Sequence, residues 1–166
     1  MEPGESASSS LSLAVLALLL AALAGMSVRA VVENDALEQA VTRPVIGDHW
    51  HAVYEVYICG TRQPPFPLWE AGVHTHEDGV IHIHPFIPDE EGRGARLVKW
   101  FEYGGGKLTE DEMRLPATRQ TLRNGDECPD GSEGFVQVFV NGRPLDDWSE
   151  YIPEDGDRVG IVFGPR

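Results

Sequence analysis

The sequence predicts an α+β domain, a mixed β-sheet with one short helix, preceded by an N-terminal hydrophobic helix. Three observations predict it: an uncharged apolar run near the N-terminus, several segments that alternate with period two between Gly, Pro and Asn-Gly breaks, and one stretch with helical spacing among them.

The apolar run, Leu11 to Val28, consists of Leu, Ala, Val, Ser, Gly and Met without a charge, long enough for a short transmembrane helix or a signal-peptide core. Glu2 and Glu5 precede it and no Lys or Arg does, which is atypical of a secretory signal. Val28-Arg29-Ala30 has the small residues of a cleavage site, and no Cys follows the run to accept a lipid. The expectation is an anchor or signal over residues 1–30, with a retained anchor preferred, a linker over 31–44, and a His-rich domain over 45–166. That makes a single-pass protein of the cell membrane whose C-terminal domain is extracytoplasmic, touching the membrane through its N-terminal helix.

Along the domain, His49 to Ile58 alternates: Trp50, Ala52, Tyr54, Val56 and Ile58 share the face expected in the core, and His49, His51, Val53, Glu55 and Tyr57 the other. Gly60 and Pro64-Pro65-Phe66-Pro67 end this strand, since proline cannot donate to a ladder. Asp78-Gly79 is a turn signal before a second strand, Val80 to His84. Gly94 to Tyr103 carries Ala95, Leu97, Val98, Trp100 and Phe101 at amphipathic helical spacing and stops at Gly104-Gly105-Gly106. Lys107 to Pro116 is polar, with Leu108 and Leu115 as anchors. Phe135 to Val140 is a strand closed by Asn141-Gly142, and Arg158 to Phe163 is the last strand.

Asp and Glu outnumber Lys and Arg by 27 to 13, a net charge of −14 over 166 residues, which makes nucleic acid and anionic lipid poor partners and suits cations. The only two cysteines, Cys59 and Cys128, are expected to pair; the loop they close is worth roughly 4 kcal/mol in the chain-entropy model. The alternative is Cys59 as a thiolate ligand beside the histidines.

All six histidines lie in three His-x-His pairs: His49 and His51, His74 and His76, His82 and His84. On a strand this spacing puts both imidazoles of a pair on one face. If the first two strands pair, His49, His51, His82 and His84 gather opposite the core, with His74 and His76 in a loop at the edge. Four to six imidazoles exceed what one ion needs, and neutral imidazole binds Zn(II) and Cu(II) well.

The order strand, strand, helix, strand, strand is the β-grasp arrangement. Val138-Phe139-Val140-Asn141-Gly142-Arg143-Pro144-Leu145 with Tyr151-Ile152-Pro153-Glu154-Asp155-Gly156-Asp157-Arg158-Val159 resembles the signature of ubiquitin-like sulfur-carrier proteins, over about a fifth of the chain. The resemblance implies a β-grasp-like sheet. It does not carry sulfur-carrier chemistry, because the chain closes with Gly164-Pro165-Arg166 where those proteins expose Gly-Gly. The stretch Gly72 to Pro85 is similar to a pattern in uncharacterised bacterial membrane-anchored proteins, which implies a topology and no activity.

Two enzyme families use His-x-His. His82-Ile83-His84-Pro85 looks like the opening of the JAMM metalloproteases, but Phe86 to Ala95 lacks the required Ser and Asp in register. His74-Thr75-His76 is similar to the cupin pair, but Glu77 is too close and no histidine follows His84. A hydrolytic zinc site would also need a carboxylate base, for which Glu55, Glu77 and Asp78 are the candidates. No catalytic residue is assigned. The expectation is a binding protein for Zn(II) or Cu(II) using His49, His51, His74, His76, His82 and His84; the alternatives are a pH-sensitive interaction module and a zinc-dependent hydrolase.

Overall fold

The alternating segment around His51 becomes the strand on which the sheet is built. In the computed structural model, which describes residues 43–118 and 120–166, β1 (Trp50–Ile58) is followed by β2 (Thr61–Arg62), β3 (Val73–His74) and β4 (Val80–Ile83). Two single-turn 3-10 segments, Pro88–Glu90 and Gly92–Ala95, lead into the helix α1 (Leu97–Tyr103). Then come β5 (Lys107–Leu108), β6 (Glu112–Arg114), β7 (Leu122–Arg123), β8 (Phe135–Val140), β9 (Arg143–Leu145) and β10 (Arg158–Gly164).

The main sheet runs β3-β4-β1-β10-β8-β9, with β2 folded back on the end of β1; β5-β6-β7 form a second, small sheet. β1 and β10 are parallel and every other pairing is antiparallel. The parallel pair requires the long connection that holds α1, since parallel neighbours cannot be joined by a hairpin. β8 and β9 are joined by Asn141 and Gly142, both at positive φ (52° and 78°), the backbone that a two-residue hairpin turn demands.

One face of β1 carries Ala52, Tyr54 and Val56 into the core, where Ile81 and Ile83 of β4, Ile161 and Phe163 of β10 and Val138 of β8 join them. α1 lays Leu97, Trp100 and Phe101, spaced i, i+3, i+4, on the same core. The Trp100 ring stands edge-on to Tyr54 at 4.7 Å, and Phe66 from the proline-rich loop lies against both. Tyr54 OH accepts the Phe66 N–H at 2.6 Å, which pins that loop over the helix.

Cys59, at the end of β1, is disulfide-bonded to Cys128, with Cα atoms 5.6 Å apart. The thiolate-ligand alternative for Cys59 is thereby overturned. Cys59 also lies eight positions along β1 from His51, roughly 25 Å at strand rise.

Several expectations are corrected. The described residues are mostly sheet, ten strands in two sheets with one seven-residue helix, and not the α+β, β-grasp-like domain behind a hydrophobic helix. The cause lies in Lys107 to Arg123, where short polar pairs form a second sheet that period-two hydrophobicity does not announce. Among the described residues no helix is long and apolar enough to cross a membrane, so the single-pass assignment to the cell membrane is withdrawn. The run Leu11 to Val28 lies outside the described residues, as does most of the expected 31–44 linker. The helix expected over Gly94 to Tyr103 begins at Leu97, its first turn being 3-10.

Candidate metal centre

The strand register assembles the histidines. His51 of β1 faces His82 of β4, and His82 faces His74 of β3 on its other side, so three imidazoles stand in a row across three adjacent strands. Neighbouring strands are about 4.8 Å apart, which is the spacing at which side chains of facing residues touch. The row occupies the sheet face opposite Ala52 and Ile81. His74 therefore belongs to a strand and not to the loop assigned from sequence; β3 is two residues long and its pattern is too short to read.

The remaining three histidines complete a closed ring. Successive centroid separations are 4.7 Å from His49 to His51, 4.8 Å to His82, 4.5 Å to His76, 4.6 Å to His74, 4.6 Å to His84 and 5.0 Å back to His49. All six sequence-assigned ligands are thus brought together. Within the ring, His49, His51 and His82 offer one ligand atom each, all within 4.8 Å of one another, and this group could hold a metal ion. The Nε2 atoms of His49 and His51 are 3.2 Å apart, close to the roughly 3.3 Å edge of a tetrahedron with zinc–nitrogen bonds of about 2.0–2.1 Å.

Carboxylates fix the ring from outside. Asp78 Oδ2 lies 2.8 Å from His82 Nε2, while its Oδ1 accepts the Val80 N–H at 3.0 Å. Partial burial opposes its charge, but the bonds from His82 and Val80 prevail and hold the Asp78 carboxyl at about 2. A carboxylate on one imidazole nitrogen sets the tautomer and leaves the other nitrogen's lone pair for a ligand. Asp155 Oδ1 accepts the His51 N–H at 2.8 Å, and Gly156 N–H donates to His51 O, so the acidic turn before β10 braces β1 at the site.

Two further supports come from the core side. Trp100 Nε1–H donates to His74 O at 3.2 Å and Trp69 Nε1–H to Val73 O at 3.0 Å, tying β3 to the helix and the proline-rich loop. Buried Glu90 accepts N–H bonds from Gly72 (2.7 Å), Phe86 (2.8 Å) and Ile87 (3.3 Å), locking the segment after His84 against the one before His74. Gly72 must lack a side chain, since a Cβ there would lie 2.2 Å from Glu90 Oε2. Sequence reasoning missed Glu90 and Asp155, because each acts through space on a backbone far from it in the chain. Of the candidate bases, Asp78 contacts the ring, whereas Glu55 pairs with Arg62 at 3.0 Å.

Three of the imidazoles, His51, His74 and His84, are biased toward their neutral form. Burial first, then His84, His76 and His82, push His74 down to about 4. Burial, then His82 and His49, lower His51, with Asp155 and Asp78 opposing; burial, then His49 and His82, lower His84. Protons therefore compete weakly with a metal for these three rings at neutral pH. Beside the ring, Leu68, Trp69, Phe86 and Ile87 form an apolar groove whose polar lining is His74, His84, Glu70 and Glu90.

No family model matches the chain, and no solved structure matches it. Among curated proteins, the F-box/kelch-repeat protein SKIP25 of Arabidopsis thaliana is 26% identical over 136 residues, 81% of this chain and 32% of that protein. The chain spans about a third of the length of that relative, and the likeness assigns no site residue.

Proposed function

We propose that the chain is a metal-binding protein that takes up Zn(II) or Cu(II) through clustered His-x-His pairs, zinc first. The observation that carries this reading is the convergence of the His49, His51 and His82 ligand atoms to within 4.8 Å on one sheet face. Imidazole nitrogens suit Zn(II), Cu(II) and Ni(II), and a set of three in which the His49 and His51 nitrogens already stand near a tetrahedral edge apart suits zinc. Copper has the higher intrinsic affinity for nitrogen donors and is the second candidate. The carboxylate of Asp78 behind His82 is the outer partner that metal-bound imidazoles ordinarily have. An excess of acidic residues over the chain favours cations as ligands.

The test is metal content and calorimetric titration of the full chain purified without a polyhistidine tag. The reading expects Zn(II) to remain bound through dialysis, and His51→Ala with His82→Ala to lose the ion held by this triad. Full retention by that double variant, or no binding by the parent, would refute it.

A second reading, a pH-sensitive interaction patch, draws support from Leu68, Phe86 and Ile87, which are 59%, 65% and 52% exposed beside the ring. Protonation of an imidazole would place positive charge next to this apolar rim. Partner capture by the metal-free protein that changes between pH 7 and pH 5 would favour it over metal binding.

A further inference from the structure

The ring of six imidazoles divides without remainder into two runs of three consecutive members. His49, His51 and His82 form one; His76, His74 and His84 form the other, joined through centroid separations of 4.6 Å on each side of His74. Each has a central imidazole on a strand, His51 on β1 and His74 on β3, with a flanking ring from the same His-x-His pair and a third from β4 or the residue just after it.

We infer that the second triad, His74, His76 and His84, holds a second divalent metal ion beside the first, making the face a two-ion imidazole centre. This rests on the metal-binding reading above and adds the site and the number of ions. One ion takes about four ligands from imidazole donors, so a single ion leaves at least two of the six rings without a role. Of the rings left over by the first triad, His74 is no solvated bystander, being only 6% exposed.

The second triad supplies its own evidence. His74 Nε2 has as its partner only His76 Nε2, at 2.7 Å, and His74 Nδ1 makes no hydrogen bond of good geometry, the Ala71 backbone offering a weak one. Two Nε2 lone pairs that face each other this closely can share only one proton, and an ion seated between His74 and His76 would accept both, leaving Nδ1–H of His74 to the Ala71 backbone. It requires the two Nε2 atoms to part by roughly 0.6 Å toward a tetrahedral edge. His76 is exposed and lies two residues beyond β3, so that adjustment falls on the freer of the two rings. His84 is the third ring, 4.6 Å from His74 by centroid, and its nitrogen has to swing toward the pair before the three converge as those of His49, His51 and His82 already do. Its backbone N–H is held by Gly72 O at 2.8 Å, on the segment that Glu90 locks. The two triads meet at His82, whose ring stacks on His74 at 5.4 Å and 15°.

The experiment is Zn(II) stoichiometry by elemental analysis and native mass spectrometry of the full, untagged chain, with Co(II) substitution read by visible absorption. Three proteins are compared: the parent, His49→Asn with His51→Asn, and His76→Asn alone. His49, His51 and His76 are exposed, and thermal melts of each metal-free form check that they fold. The expected result is two ions in the parent and one in each variant, with Co(II) absorption falling by half. A parent that saturates at one ion overturns the second site and leaves the first standing. Two ions retained by His76→Asn overturn its assignment to this triad, and loss of both ions in either variant overturns the division into two triads. A parent that binds none overturns the metal-binding reading itself.

Discussion

At His82 the strand register and the chemistry coincide, for this imidazole faces His51 on one side, His74 on the other, and carries Asp78 on Nε2. Asp78→Asn keeps the shape but exchanges a carboxylate for an amide, and outer-partner changes of this kind typically lower metal affinity about 10–100-fold. Competition titration against a chromophoric chelator measures it; unchanged affinity would remove Asp78 from the site. His74 supplies the pH dependence. The unfolded chain binds its proton as pH falls through about 6.5, while the folded chain resists until about 4. The stability that neutral His74 contributes is therefore whole above about pH 6.5 and is lost as pH falls toward 4. Melting temperatures of the metal-free protein should decline over that window, and His74→Gln should flatten the decline. The pairing of histidines was legible in the sequence because i, i+2 is the strand period. Asp78 was legible only as a candidate base by its nearness in sequence, and Glu90 and Asp155 were not legible at all, because a carboxylate eighteen residues after a glycine, or a hundred and four after a histidine, acquires its meaning only from the fold that brings them together.

The elements that matter most to the site are the shortest. β3 has two residues and would not persist without the N–H bonds that Trp69 and Trp100 give to its carbonyls and the ladder it shares with β4. Trp100→Ala removes a fully buried ring, at about 3–5 kcal/mol, together with the bond to His74 O. Denaturant unfolding should show that loss, and metal affinity should fall with it even in the folded fraction. Glu90→Ala strands three backbone N–H groups, and at about 1 kcal/mol or more for each the expected cost is about 3 kcal/mol. A change below 1 kcal/mol would mean that this loop is held by something else. β1, β4, β8 and β10 were readable because they alternate over long enough runs. β3, β5, β6, β7 and β9 were not, because two or three residues carry no period and pairing with a neighbour alone makes them strands.

In the molecule as a whole, the sheet presents two faces with separate tasks. One packs against α1 and the aromatic cluster of Tyr54, Phe66 and Trp100; the other carries the imidazoles at the β3-β4-β1 end. The disulfide clamps the opposite end of β1 to the segment after β7, so reducing it should cost roughly 4 kcal/mol of stability and lower the melting temperature while leaving the histidine face assembled in the folded protein. Persistence of metal binding under reductant, with reduced stability, is the expected pair of results. X-ray absorption at the zinc edge of the zinc-loaded, untagged chain reads the centre most directly. The account predicts a shell of imidazole nitrogens at about 2.0–2.1 Å, three to each ion and without sulfur. A shell containing sulfur, or one made of oxygen with fewer than two imidazoles, would contradict it.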